Sequence, residues 1–358
     1  MSVRDASSAG SDPQATMTAA VVREHGGVEV IRFETRPVPV AGPGQVRVRV
    51  RAVGLNHLDT WVRRGVPGHV FPLPLVLGSD GAGVVDAVGE GVQNCRPGDE
   101  VVIFPGTSCG VCAACVAGTD QLCREYRILG EARDGTCAGY VVVPAANVAP
   151  KPARLSFAEA GAFALVFLTA WSMLVDKAGL RAGETVLVHA GGSGVGGAAI
   201  QIARLLGATV IATAGTPEKC AQSKALGADE AIEYRTTDFA DAVRKLTGKR
   251  GVDVVVEHVG AATFDRSVRS LARGGRLVTC GATTGGKVEL SLHQVFFKNL
   301  AILGSTMGSK GQLWTILRLV EAGRLRPVVA KTLPLDGLRD AHRELEARTW
   351  FGKLVIEL

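Results

Sequence analysis

The chain has 358 residues, 47% of them hydrophobic and 21% charged, with 40 basic and 34 acidic residues and a formal net charge of +6. That length exceeds one core of ordinary size and suits two domains. The charges are interspersed with no long run of one sign, which argues against a nucleic-acid partner, while the small positive balance suits a polyanionic small ligand.

Residues 1–17 contain no apolar stretch of the kind a secretory signal needs, and read as a disordered leader. From 18 onward the pattern is β-rich. Val46 to Val50 alternates apolar and basic residues, as a half-buried strand does. Gly81–Val85 and Val101–Ile103 read as further strands, joined through the turn Arg96-Pro97-Gly98-Asp99. Next comes a cysteine cluster, C-x2-C-x2-C-x7-C, made of Cys109, Cys112, Cys115 and Cys123. Four thiolates from one loop close a tetrahedral shell around zinc and leave no open position, which makes a structural site. Cys95, Cys137, Cys220 and Cys280 read as small buried residues. Metal spacing without a secretory signal points to a cytoplasmic protein rather than a disulfide framework.

Pro144, Pro150 and Pro152 mark a boundary. Ser156 with Glu159 forms a capping box that opens an apolar helix over Phe157 to Lys177. Its apolar run is broken by Glu159, Gly161 and Ser172 and is no membrane span. Short strands then alternate with amphipathic helices. Thr185–His189 is a strand, Ala198–Leu206 a helix closed by Gly207, and Thr209–Thr213 a strand. A helix through Lys219 to Leu226 closes at Gly227, and Val252–Val256 and Arg276–Cys280 are strands. This alternation predicts an α/β fold with a parallel, doubly wound sheet over 152–301. From 302 the pattern is mixed and ends in a strand, Lys353–Glu357, so 302–358 is expected to rejoin the β-rich domain of 18–151.

The segment from His189 to Ala198 reads HAGGSGVGGA between a buried strand and a helix. Glycines there let the backbone approach a pyrophosphate at the positive end of the helix. One frame of the motif uses Gly192, Gly194 and Gly197; another uses Gly191, Ser193 and Gly196, with Val195 between. An NAD enzyme carries an acid at the end of the second strand to hold the ribose hydroxyls. Here that position falls on Ala214, and Thr216 and Lys219 follow, suited to a 2′-phosphate. NADPH is therefore the expected cofactor, with Glu218 expected to turn away along its helix.

The cysteine lobe, the run Gly81-x-Gly83-x-Val85-x-x-Val88-Gly89-x-Gly91-Val92, Pro97-Gly98-Asp99 and the glycine loop together resemble the medium-chain dehydrogenase/reductase superfamily. The resemblance covers essentially everything after residue 17. It implies a GroES-like catalytic domain split around a Rossmann domain, an active site in the cleft between them, and a homodimer or homotetramer. Zinc alcohol dehydrogenases of this family hold a catalytic zinc on a Cys, a His-Glu pair and a second Cys. Those positions carry Asn56, Ser79-Asp80 and Leu165 here. Asn, Ser and Leu cannot supply three strong ligands; the weaker alternative is a second zinc site on His57 and Asp80, which offer two ligands.

The Asn56-x-x-Asp59 segment resembles instead the quinone-reductase and acryloyl-CoA-reductase branches, which reduce an activated C=C bond without catalytic zinc. The retained cysteine lobe and Ile302-Leu-Gly-Ser-Thr-Met-Gly308 fit the second branch better. The resemblance implies NADPH-dependent reduction of a short 2-enoyl-CoA such as acryloyl-, crotonyl- or 3-methylcrotonyl-CoA. The alternatives are a quinone or alkenal reductase, a zinc alcohol dehydrogenase with unorthodox ligands, or a nucleotide-sensing protein on the same fold. Carried over by position, Asn56 and His57 are candidate donors to the thioester oxygen, with Asp80 tuning His57. Thr169, Tyr234, Gly260, Gly281 and Lys353 are candidate cofactor contacts, Tyr234 beside the adenine. Arg63 and Arg64 are placed to meet the phosphates of coenzyme A.

Overall fold

The computed structural model describes residues 15–358. The expected leader thus lies mostly outside the described residues, and its last two positions, Thr16 and Met17, already belong to the strand Thr16–Val22. That strand pairs antiparallel with Ile31–Pro37.

Alternation in Gln45–Gly54 buries Val46, Val48 and Val50 and leaves Arg49 and Arg51 exposed. This strand sits in the middle of a sheet, paired with Gly81–Val88 and Tyr140–Pro144. The C-terminal strand Lys353–Glu357 also pairs with it, Val355 opposite Gly54, and carries Val329–Pro334 on its other side. The chain end therefore returns to the β-rich domain and brings Lys353 beside the segment that follows Gly54.

The second sheet is parallel throughout. Its strands run in the order Glu230–Glu233, Thr209–Ala214, Thr185–Val188, Val252–Glu257, Leu271–Thr279, Ala301–Gly304. Numbered along the chain this is 3-2-1-4-5-6, the Rossmann order, with the ligand crevice where the order reverses, between Thr185–Val188 and Val252–Glu257. The boundary expected at 302 falls inside the sixth strand, so the mixed tail begins after Gly304.

Two helices differ from expectation for physical reasons. The apolar stretch after Ser156 is divided into Phe157–Gly161, Ala164–Trp171 and a wider-turned segment, Ser172–Lys177. Gly161 passes so close to the strand Gln45–Gly54 that a Cβ on it would sit 2.7 Å from the Ala52 carbonyl oxygen, and the helix breaks there. The cofactor-side helix starts at Gly194 rather than Ala198, because the Ser193 hydroxyl caps it by accepting the Gly196 N–H at 2.9 Å. No described helix is long and apolar enough to cross a membrane.

Candidate active site and metal lobe

Three strand ends build the crevice. The first, Thr185–Val188, leads into Ala190, a non-glycine residue at φ 48°. That conformation costs roughly 1–2 kcal/mol for an L-residue and is held by the second strand. Thr213 accepts two successive N–H groups of the loop, Ala190 on its Oγ1 at 3.1 Å and Gly191 on its carbonyl at 2.8 Å. A Cβ on Gly196 would lie 2.2 Å from the Ala190 carbonyl oxygen. Close helix-to-strand packing thus requires glycine at 196, which favours the frame Gly191, Ser193, Gly196. Val195 is half-buried. The C-terminal segment lines the other side: Gly352 donates to the Gly192 carbonyl at 2.8 Å, and a Cβ on Gly194 would lie 2.9 Å from Lys353 Cδ.

Ala214 ends the second strand and is buried. The Thr216 hydroxyl caps the next helix, Pro217–Ala225, by accepting the Lys219 N–H, and Lys219 Nζ reaches the Arg348 carbonyl at 2.7 Å. Glu218 is exposed on the first turn. The Tyr234 hydroxyl stands over Gly215, 2.9 Å from where a Cβ would be. Gly260 lies at φ 91° with its N–H on Glu257 Oε1 at 3.1 Å. Gly281 faces Trp61 across the cleft, and Thr169 is buried on the helix that packs against the cofactor-side helix.

The second part of the site is a buried polar knot. Asn56 caps the helix His57–Arg64 in a capping box with Asp59, whose carboxylate accepts the Asn56 N–H at 2.7 Å and the Gly78 N–H at 3.1 Å. Burial pushes the Asp59 carboxyl up to about 6. The Asn56 amide donates to the Gly54 carbonyl at 3.1 Å and to Asp80 Oδ2 at 3.0 Å, and its oxygen accepts from Lys353 Nζ at 2.5 Å. Lys353 Nζ also binds Asp80 Oδ2 at 3.1 Å, and Asp80 Oδ1 accepts the Leu165 N–H at 2.7 Å.

This geometry corrects four sequence expectations. Both amide hydrogens of Asn56 are committed, so it has none to offer a substrate oxygen. Asp80 is held by Lys353, Asn56 and Leu165 and not by His57; with both oxygens engaged, it is no free metal ligand. Arg63 is 1% exposed and bonded to Glu346 at 2.5 Å and the Gly26 carbonyl at 3.0 Å, so it cannot meet coenzyme phosphates, whereas Arg64 is exposed. Of the cysteines expected to be buried, only Cys137 is; Cys95, Cys220 and Cys280 are half-buried.

His57 is brought to the same cleft. Burial, then the charges of Arg348, His258 and Lys353, push its imidazole down to about 4, so it is neutral at ordinary pH. Its ring has no hydrogen-bond partner among the described residues, which leaves a ring N–H available to a ligand. The Ser79 hydroxyl is buried without a partner.

The cysteine lobe closes as its spacing requires. The Sγ atoms of Cys109, Cys112, Cys115 and Cys123 all lie within 4.8 Å of one another, with separations of 3.6 Å (Cys112–Cys115 and Cys109–Cys123) and 3.9 Å (Cys109–Cys115). A tetrahedron of sulfurs about 2.3 Å from zinc has edges of about 3.8 Å, so the four thiols fit that ion. Backbone N–H groups of Cys112 and Glu125 point at the sulfurs of Cys109 and Cys123, which favours thiolates. It is the one cluster of three or more His, Cys, Asp or Glu ligand atoms with such geometry among the described residues.

A Rossmann sheet, a GroES-like sheet and a polar knot in the cleft between them define a two-domain oxidoreductase. Comparison with known proteins agrees. Residues 42–153 match the alcohol dehydrogenase GroES-like domain and residues 194–322 the zinc-binding dehydrogenase family. Quinone oxidoreductase of Sus scrofa is 31% identical over 353 residues, 96% of this chain and 99% of that protein. A solved NAD-dependent alcohol dehydrogenase is 55% identical with a TM-score of 0.92, covering 95% of this chain and 99% of the other. A solved crotonyl-CoA carboxylase/reductase in complex with NADP is 28% identical with a TM-score of 0.88, covering 96% of this chain and 94% of the other. The chain belongs to the medium-chain dehydrogenase/reductase superfamily.

Proposed function

We propose that this oxidoreductase uses NADPH to reduce an activated C=C bond, with a short 2-enoyl-CoA as substrate and the saturated acyl-CoA as product. One observation carries the reading. Where alcohol dehydrogenases of the family present three strong zinc ligands, this chain presents Asn56, Ser79 and Leu165, and a Lys353–Asp80–Asn56 knot in their midst. NADPH, when bound, supplies a hydride to the β-carbon. Negative charge then develops on the thioester oxygen and needs donors already in place. The neutral His57 ring offers one, and the third N–H of Lys353 another, since only two are used by Asn56 and Asp80. Asn56 holds the ammonium in position. Protonation of the α-carbon then completes the saturated acyl-CoA. The kinship to a crotonyl-CoA carboxylase/reductase bound to NADP and to a quinone oxidoreductase supports reduction of a conjugated carbonyl compound.

The 55% identity to an NAD-dependent alcohol dehydrogenase favours a second reading, oxidation of an alcohol with NAD. A screen of NAD(P)H oxidation across short enoyl-CoAs, quinones, alkenals and aldehydes separates the two. The expected result is that kcat/KM for one enoyl-CoA exceeds that for every aldehyde and simple quinone by at least tenfold, about 1.4 kcal/mol in barrier. An aldehyde or quinone leading by the same margin overturns the CoA assignment.

The cofactor has its own test. A carboxylate about 4 Å from a phosphate charge opposes it by up to ~4 kcal/mol at an effective dielectric of 20. Ala214 avoids that repulsion, and Lys219 sits in the first turn of the helix that follows. Wild type is expected to prefer NADPH over NADH. Ala214→Asp should shift the ratio of kcat/KM values toward NADH by roughly 10–100-fold, and Lys219→Ala should weaken NADPH alone. Equal use of both cofactors by the wild type refutes this reading. A cytoplasmic homodimer or homotetramer completes the proposal. Support for a second copy comes from Ala301–Gly304, at the sheet edge, with Phe296 and Phe297 exposed nearby.

A further inference from the structure

Beneath the cofactor loop runs a chain of buried side chains that the reaction does not use. Thr213, His189, Ser267 and Glu257 are all 2% exposed or less and come from the second strand, the end of the first strand, the helix Phe264–Ser270 and the fourth strand. His189 Nδ1 lies 3.1 Å from Thr213 Oγ1, and its Nε2 lies 2.8 Å from Ser267 Oγ. Ser267 Oγ is 2.8 Å from Glu257 Oε2. The same carboxylate accepts the N–H groups of Val259 at 2.6 Å and Gly260 at 3.1 Å, and the Thr263 hydroxyl at 2.9 Å.

The number of hydrogens fixes the direction of the chain. A carboxylate only accepts, so Ser267 spends its one hydrogen on Glu257, or on the Thr263 carbonyl at 2.9 Å. Either way it offers His189 only a lone pair. His189 must then carry its proton on Nε2, and Nδ1 must accept from the Thr213 hydroxyl. Thr213 Oγ1 is left with a lone pair for the Ala190 N–H, the bond found at 3.1 Å. With the Ser267 hydrogen on Glu257, one polarity runs unbroken from the first amide of the cofactor loop to the amide of Gly260 on the opposite wall. Burial pushes His189 down, which keeps the ring neutral as this polarity needs.

We propose that Thr213, His189 and Ser267 are positioning residues for the dinucleotide: they couple the left-handed Ala190 and the loop after it to the Glu257-held turn at Gly260, so that both walls of the crevice are set before the cofactor arrives. The proposal rests on the reading of the 190–196 loop as a dinucleotide site. It does not depend on which nicotinamide nucleotide binds or which substrate is reduced.

The test is Thr213→Val, which keeps the volume and the carbonyl that holds Gly191 but removes Oγ1, alongside Thr213→Ser and Ser267→Ala. Dissociation constants for NADPH and NADH are measured by calorimetry, with melting temperature and kcat at saturating cofactor. Thr213→Val is expected to weaken both nucleotides by about tenfold and equally, with kcat falling less than twofold. Thr213→Ser should restore binding to within about twofold of wild type, because the hydroxyl returns. Ser267→Ala, which touches neither loop nor ligand, should still weaken binding by about threefold. A wild type that binds neither nucleotide defeats the dinucleotide reading and this inference with it. A wild type that binds, with Thr213→Val within twofold of it, overturns the inference alone. Equal weakening in Thr213→Val and Thr213→Ser, or an unaltered Ser267→Ala, also overturns it.

Discussion

Lys353→Met is expected to lower stability by about 3–5 kcal/mol and kcat/KM by at least about 100-fold. Asp80 is fully buried and Lys353 is 5% exposed, so neither charge has water to fall back on. Removing the ammonium leaves the Asp80 carboxylate with only the Asn56 amide and the Leu165 N–H, and leaves the Asn56 oxygen with no donor. Breaking one half of a buried pair is far more harmful than removing both halves. The double variant Lys353→Met with Asp80→Asn should therefore recover most of the lost stability in urea denaturation. It should not recover activity, because the donor proposed for the substrate oxygen is still missing. This split separates a charge needed for folding from one needed for chemistry. A Lys353→Met enzyme within about 1 kcal/mol of wild type and within threefold in kcat/KM defeats the assignment.

The parts of the knot were visible in the sequence, but its wiring was not. Asn56, Asp80 and Lys353 each stood at a position that the superfamily uses. The contacts that join them span chain separations of 24, 273 and 297 residues, which no local pattern encodes. Local sequence therefore pairs Asp80 with His57, its nearer companion in the active-site motif, whereas its partner in the fold is the lysine of the last strand. The inward turn of Arg63 is hidden from the sequence for a related reason. A basic residue at the end of a short polar helix is expected in water, and only the packing of Leu338–Ala347 across it shows that it turns inward to Glu346. The strands of the parallel sheet were legible because the helices between them close at glycines such as Gly207 and Gly227, both at positive φ, just before the next apolar run begins. The break after Gly161 was not, since the stretch is apolar all round and the cause is contact with a strand a hundred residues earlier. The cysteine lobe was the most legible feature, because all four ligands lie in one short loop and their spacing alone brings them together.

That lobe gives the other large effect. Native protein is expected to carry about one zinc per chain, and Cys112→Ala to carry almost none, because removing one of four thiolates leaves a closed structural site without its shell. Zinc sites of this kind contribute about 10–16 kcal/mol to ordering the segment that holds them in isolated zinc-finger peptides. Here only part would appear as global stability, since the lobe is also tied to the body of the protein. Lys310 Nζ binds Ser108 at 2.9 Å and Asp120 at 3.0 Å, and the Lys310 N–H binds Asp120 at 3.0 Å. Loss of the metal would loosen Ser108 and Asp120 and so free the first turn of the helix Lys310–Glu321, whose buried face packs into the main core. Chelation or Cys112→Ala should lower the melting temperature by several degrees and expose 109–123 to protease. The activity of molecules that remain folded should fall by less than tenfold, because a four-thiolate shell has no position for substrate. Metal analysis decides. No zinc in carefully purified native protein sinks the structural site, and two zinc ions per chain would bring back a second site at His57, against the full commitment of both Asp80 oxygens.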